Sequence, residues 1–249
     1  MARRGIFVAP FDELAEARVL ADLAARAEAA GWDGFFLWDH VDYRDPVTAL
    51  ADPWVCMAAI ACTTERMRIG PLVTPPARRR IHKLARETVT LDRLSGGRLI
   101  FGAGLGSDNS GEFSKFGEEA DAKERARLLD EGLEQLVAFW DGEFQPRPAQ
   151  KPRIPVWLAA RWPNRRPVRR ALKWDGLFPI DLPGPGELAE LTKEVRAERP
   201  DDGFDIVVTN PAGTDPAPWE QAGATWCLTG FGPQPGVAEV AAAIDDLGP

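Results

Sequence analysis

The sequence predicts an α/β protein, a closed (β/α)8 barrel of the TIM type, in a single domain over residues 1–249. Three observations lead there. Eight short apolar runs recur along the chain, each followed by a helical pattern. Most of these runs are continuous rather than alternating, as strands are when both faces of a parallel sheet are covered. The composition is 45% apolar, with nine tryptophans and twelve phenylalanines, which is enough for one large core and too apolar for a disordered chain. Periodicity alone leaves an open doubly wound sheet as the alternative, and eight βα units favour closure.

The first run, 5–9 (GIFVA), leads into a helical pattern over 12–30, where Leu14, Val19, Leu20, Leu23 and Ala27 share a face and Gly31 is the stop. Run 34–38 (GFFLW) precedes a helix at 52–63, run 67–73 (MRIGPLV) one at 82–94, and run 99–104 (LIFGAG) one at 120–141. In the second half, 154–160 (IPVWLAA) is followed by 163–174 and 176–180 (GLFPI) by 185–198. Run 204–209 (FDIVVT) is followed by 215–223, and 224–229 (ATWCLT) by 236–247. The proline-rich segment 145–152 reads as a connector inside one domain, because neither half holds a complete barrel.

A net charge of −8 argues against nucleic acid or an anionic membrane as partner. No run reaches the length of a membrane span, and the N-terminus lacks the apolar stretch of a secretory signal, so a cytoplasmic protein is expected. Cys56, Cys62 and Cys227 lack metal or disulfide spacing and are expected to be small buried hydrophobes, with Cys56 and Cys62 on different sides of one helix. No nucleophile elbow, P-loop or HExxH motif occurs, and no metal site is expected.

In such a barrel the loops after the strands share one rim, where function collects. That rim carries Asp39-His40, Thr74 with Arg78-Arg79-Arg80, the glycine loop from Gly104 to Glu112, Arg161 with Asn164-Arg165-Arg166, and Asp181. Arginines at a helix start oppose the macrodipole unless an anion sits there, so Arg161, Asn164, Arg165 and Arg166 read as a phosphate site; the alternative is a solvated loop. Gly102, Gly104 and Gly106 let a flat ligand approach the backbone, or simply turn tight barrel corners. His40 is the histidine placed for acid/base work, and Glu112 is a second candidate. Glu118 and Glu119 read as helix-start charges. Trp38 and Trp162 are placed to wall a ring-shaped ligand, with Trp157 and Trp226 in the core.

Four tracts resemble the luciferase-like family of flavin and deazaflavin (F420) oxidoreductases. They are Trp38-Asp39-His40, the turn Leu91-Asp92-Arg93-Leu94-Ser95-Gly96-Gly97-Arg98 with the strand after it, Phe113 to Gly117, and the helix from Pro167 to Gly176. The resemblance implies a (β/α)8 barrel, often a homodimer, with FMN or F420 at the rim and an irregular cis peptide within Leu72 to Thr74. It implies two-electron hydride transfer or monooxygenation of a small organic substrate, with a separate reductase as a possible partner. The cofactor phosphate would lie at Arg161 to Arg166. Asp39, Thr74, Gly104, Arg161, Asn164, Arg165 and Arg166 form the expected cofactor-binding set, and His40 and Glu112 the expected catalytic pair. F420 is the expected cofactor, with FMN the alternative, because the Asp39-His40 pair resembles the deazaflavin branch and Arg78-Arg79-Arg80 offers a second basic patch for an acidic tail. Two other readings stand beside this one: a flavin- or phosphate-binding barrel without turnover, and a phosphate-handling lyase or isomerase. The latter is disfavoured because no lysine ends a strand.

Overall fold

All eight apolar runs become parallel strands in the computed structural model, which describes residues 1–200, 203–246 and 248. The strands are β1 (Arg3–Val8), β2 (Gly34–Leu37), β3 (Arg68–Pro71), β4 (Phe101–Ala103), β5 (Val156–Arg161), β6 (Gly176–Ile180), β7 (Asp205–Pro211) and β8 (Trp226–Gly230). Their hydrogen-bonded order is β3-β2-β1-β8-β7-β6-β5-β4, and parallel bridges Ile69–Leu99 and Thr74–Ala103 bring the two ends together. The result is a nearly closed single-domain (β/α)8 barrel.

The β3–β4 seam depends on two missing side chains. A Cβ on Gly70 would lie 2.1 Å from the Ile100 carbonyl oxygen, and one on Gly102 would lie 2.1 Å from that of Pro71. Glycine at both positions lets the strands approach, and Ile100 N–H donates to Ile69 O at 2.8 Å and Thr74 N–H to Gly102 O at 2.9 Å. The Leu72–Val73 peptide between the two bridges is cis, within the tract where the sequence predicts an irregular peptide.

The barrel interior is packed, not open. Phe36, Trp157 and Trp226 meet with ring centroids 5.4–5.6 Å apart, and Phe7 and Phe178 lie edge to face at 5.8 Å. The opposite faces of the strands pack under the helices α1 (Ala17–Ala29), α2 (Pro53–Thr63), α3 (Ile81–Leu94), α4 (Ala122–Ala138), α5 (Arg165–Ala171), α6 (Pro185–Glu198), α7 (Ala217–Gln221) and α8 (Val237–Asp246). Among the described residues no helix is long and apolar enough to cross a membrane.

Four expectations need correction. The helix expected over 12–30 is a short turn at Asp12–Leu14 and then α1, because Glu16 between them is extended, with φ −116° and ψ 114°. The helix expected over 120–141 starts after Asp121, whose carboxylate caps the N–H groups of Lys123 and Glu124, so Glu118 and Glu119 precede it rather than open it. That helix ends at Ala138 in a wider turn over Phe139–Glu143. Cys62 is exposed on α2, whereas Cys56 and Cys227 are buried, and burial pushes both of those thiols up to about 11. The strand over 176–180 and the helix over 185–198 match as expected, the other boundaries differ by no more than three residues, and residue 247 of the expected 236–247 helix lies outside the described residues, as does residue 249.

The Leu91–Arg98 turn sits where α3 feeds β4, at the end of the barrel opposite the strand C-termini. Asp92 accepts from Ala149 N, Gln150 N and Gln150 Nε2, which ties down the proline-rich connector. The buried Arg98 guanidinium donates to the carbonyl oxygens of Ala61, Thr64, Met67 and Ser95. The most recognisable tract of the sequence therefore clamps the closed end, and it faces no ligand cavity.

At the open end Asp12 joins three loops. Its carboxylate accepts from Thr48 N and Oγ1, from Ala49 N, and from Gln234 Nε2 at 2.6 Å. Those bonds, Gln234 first and then the main-chain N–H groups, hold its carboxyl down at about 2 against an ordinary 3.8. A lowered folded-state value means that the contribution is complete above pH 3.8 and lost as pH falls towards 2. Asp12→Asn keeps the backbone conformation and should melt below the wild type at neutral pH, with the gap closing over that acid window. A gap that stays constant down to pH 2 overturns the assignment.

Candidate active site

Above the packed interior a cavity of about 1180 Å³ opens among the strand C-termini. Its floor is apolar, made by Phe7, Leu72 and Phe178, with Val73, Ala159 and Trp38 on the walls. One side is closed by the loop from Leu105 to Glu112 and the start of α4, and another by Arg161, Asn164 and Asp181.

Strict alternation along β2 would send Asp39 and His40 to opposite faces, but the strand ends at Leu37. Asp39 turns into the protein. Its enclosed carboxylate accepts from Trp54 Nε1 at 3.2 Å, from Thr74 Oγ1, from Arg78 Nη2 at 2.7 Å and from Arg79 Nη2 at 2.9 Å. His40 lies on the cavity wall, ringed by Phe11, Trp38 and Tyr43 at 5.9, 5.8 and 5.0 Å between centroids.

Glu112 reaches His40 from the loop after β4, two strands along the barrel wall. Asp108 accepts from Phe113 N and Ser114 N, forming the turn that presents Glu112, and Lys115 pairs with Asp42 at 2.6 Å across the same gap. Those main-chain bonds, Phe113 first, also hold the Asp108 carboxyl below the usual carboxylate range. Glu112 is 2% exposed; one oxygen accepts from Val41 N at 2.8 Å and Arg78 Nη1 at 2.7 Å, and the other meets His40 Nδ1 at 2.8 Å. The Nδ1 contact leaves Nε2 as the ring nitrogen with no hydrogen-bond partner among the described residues. A histidine so held can exchange a proton with a ligand in the cavity.

Of the expected catalytic and cofactor-binding residues, Asp39, His40, Glu112, Arg161 and Asn164 line the cavity. Thr74 is fully buried behind Asp39, and Gly104 lies beneath Val73 and Ala159, where a Cβ would come within 2.7 Å of Val73. Arg161 pairs with Asp181. Arg165 stacks over Trp162 at 4.4 Å and pairs with Glu194 at 3.0 Å, and Arg166 is exposed on α5; neither lines the cavity, nor does Trp162. Arg78 and Arg79 are not a free basic patch either, because both guanidinium groups are committed to buried carboxylates.

Sequence reasoning missed Arg125. It is 6% exposed, lines the cavity beside the Ser107–Ser110 tract, and lies over the Phe113 ring at 4.5 Å. Its Nε and Nη1 have no hydrogen-bond partner among the described residues. Asp108 acts on this buried cation only at longer range and two of its donors are unspent, which marks a place where a negatively charged ligand group is favoured. The signal was available: Arg125 shares a helix face with Leu129, Gly132, Leu133 and Leu136, a charge on an otherwise buried stripe.

The profile of the family described as luciferase-like monooxygenase matches residues 5–226. An uncharacterized protein of Mycobacterium tuberculosis (strain ATCC 25618 / H37Rv) is 30% identical over 218 residues, covering 79% of this chain and 74% of that protein. Among solved structures, an F420-dependent secondary alcohol dehydrogenase in complex with an F420-acetone adduct superposes with a TM-score of 0.79 at 17% identity, covering 98% of this chain and 96% of that one. The oxygenating constituent of 3,6-diketocamphane monooxygenase from Pseudomonas putida, in complex with FMN, gives 0.70 at 16% identity, covering 86% and 68%. At such identities the two structures speak for the fold alone.

Proposed function

The chain belongs to the luciferase-like monooxygenase family, and on that premise we propose that it is an F420-dependent oxidoreductase acting on a small organic alcohol or carbonyl compound. The observation that carries this reading is the His40–Glu112 pair on the cavity wall. Oxidising an alcohol by hydride removal requires that the hydroxyl proton leave as well, and a histidine with a free Nε2 beside a bound substrate meets that need.

The residues present fit such a cofactor. Leu72, Val73 and Ala159 offer an apolar surface for a flat ring, and Arg125, with two donors unspent, suits an anionic group attached to it. When bound, a deazaflavin supplies hydride chemistry at its ring. The chain's own contribution is positional and electrostatic. His40 Nε2 takes the substrate proton in one direction and returns it in the other, while Glu112 accepts from Nδ1 and stabilises the ring as it becomes charged. Phe7, Trp38 and Phe178 keep water from the reacting face.

A second reading, FMN with a separate reductase, has one observation in its favour. Arg78 and Arg79 are occupied by Asp39 and Glu112, so they do not offer themselves to a long acidic tail. Titration of the purified protein with F420, FMN and FAD, followed by absorbance and fluorescence, separates the readings. F420 binding in the micromolar range is expected; FMN binding with no measurable F420 binding reverses the choice, and no binding of any of them leaves a barrel without a redox role.

A further inference from the structure

Arg78 stands behind the His40–Glu112 pair. It follows β3 in the short turn Pro76–Arg78, points inward, and its side chain is 5% exposed. Nη1 donates to Glu112 Oε1 at 2.7 Å. Nη2 donates to Asp39 Oδ1 at 2.7 Å and to the Asp39 main-chain oxygen at 3.0 Å. One guanidinium thus grips the backbone immediately before His40 and, with its other nitrogen, the carboxylate that meets the His40 ring.

We infer that Arg78 is a positioning residue for the acid/base pair: its forked contact to Asp39 and Glu112 fixes which nitrogen of His40 faces the cavity. Arg78 and the Val41 N–H both donate to Oε1 of Glu112, so Oε2 is the oxygen left for His40. A carboxylate can only accept, so the neutral ring must carry its proton on Nδ1 and present Nε2 as an acceptor to the cavity. The other groups packed on the ring, Phe11, Trp38 and Tyr43, meet it through their rings, and Tyr43 is the member with a hydroxyl. The geometry of the fork matters, not only its charge. A lysine at this position would bring one nitrogen to two carboxylates on separate loops. Arg79 does not duplicate the role, since it bonds Asp39 and not Glu112.

The inference rests on reading His40 as the acid/base group of the proposed redox site, but it is tested without cofactor or substrate. The chain has two histidines, and His82 is exposed on α3, so it serves as an internal standard. Nitrogen-15 and proton NMR of the two rings in mildly alkaline buffer should find wild-type His40 as the Nδ1–H tautomer. In Arg78→Met the His40 signals should move towards the Nε2–H form that an imidazole without an Nδ1 partner prefers, with His82 unmoved. Arg78→Lys should give an intermediate signature. A wild-type His40 in the Nε2–H form overturns the assignment, as does an unchanged His40 tautomer in Arg78→Met. Where that variant does not fold, Arg78→Lys carries the test, and a wild-type signature in it overturns the assignment. These outcomes are independent of cofactor titration: failure to bind F420 or FMN leaves the tautomer result standing, and a wrong tautomer leaves cofactor binding untouched.

Discussion

Replacing Arg125 by methionine is expected to weaken cofactor binding by about 10- to 100-fold while leaving the cofactor-free protein as stable as the wild type, or more so. Both halves follow from one fact: the Arg125 guanidinium is buried and its Nε and Nη1 are unpaired. Hydrogen bonds to charged groups contribute about 1.5–3 kcal/mol each, and every ~1.4 kcal/mol is tenfold in affinity. In the free protein the same charge has given up water for no more than the longer-range pull of Asp108, so an apolar side chain of similar length, kept over Phe113, removes a penalty. The double variant Arg165→Ala, Arg166→Ala supplies the contrast. Those side chains lie outside the cavity, one paired with Glu194 and one in solvent, and their loss should change affinity only a few-fold. Affinities and melting temperatures of the two variants decide the matter. If the double variant loses binding and Arg125→Met does not, the anionic group sits at the start of α5, where the sequence pattern suggests it.

His40→Ala is expected to lower turnover by about 10² or more with cofactor affinity nearly intact. Among the described residues the ring's one hydrogen bond is to Glu112, and no other residue lining the cavity presents an imidazole. Glu112→Gln should fall on the same step, because an amide stabilises a charging ring less than a carboxylate does. The measurement is kcat alongside cofactor Kd once the titration has named the cofactor. Full activity in His40→Ala would make the histidine a bystander. A parallel loss of kcat and cofactor affinity would place it in cofactor binding instead.

The barrel was legible because its signal is local and repeated. A strand covered on both faces reads as an unbroken apolar run, as in Gly34–Leu37, and a helix closes on a punctuating residue such as Gly31. Closure was less legible, since it rests on Gly70 and Gly102 admitting carbonyl oxygens that belong to distant residues. The site divides in the same way. His40 and Glu112 were found by their place after strands, yet they are 72 residues apart in sequence, and nothing local says that they touch. Arg78, Arg79 and Arg80 looked alike on paper. Two of them turn inward because Asp39 and Glu112 are buried there and need counter-charges.

By itself, then, the sequence determined the eight βα units, the rim that would carry chemistry, and the resemblance to one family of oxidoreductases, because period, punctuation and short motifs are properties of neighbours along the chain. Which charges are spent on one another and which remain for a ligand was decided by the tertiary structure alone. Pairing depends on distances through space and on burial, and the closed barrel brings Asp39, Arg78 and Glu112 from three different loops, and Arg125 from α4, to one wall. There Arg78 found two carboxylates to bond, while Nε and Nη1 of Arg125 found none among the described residues.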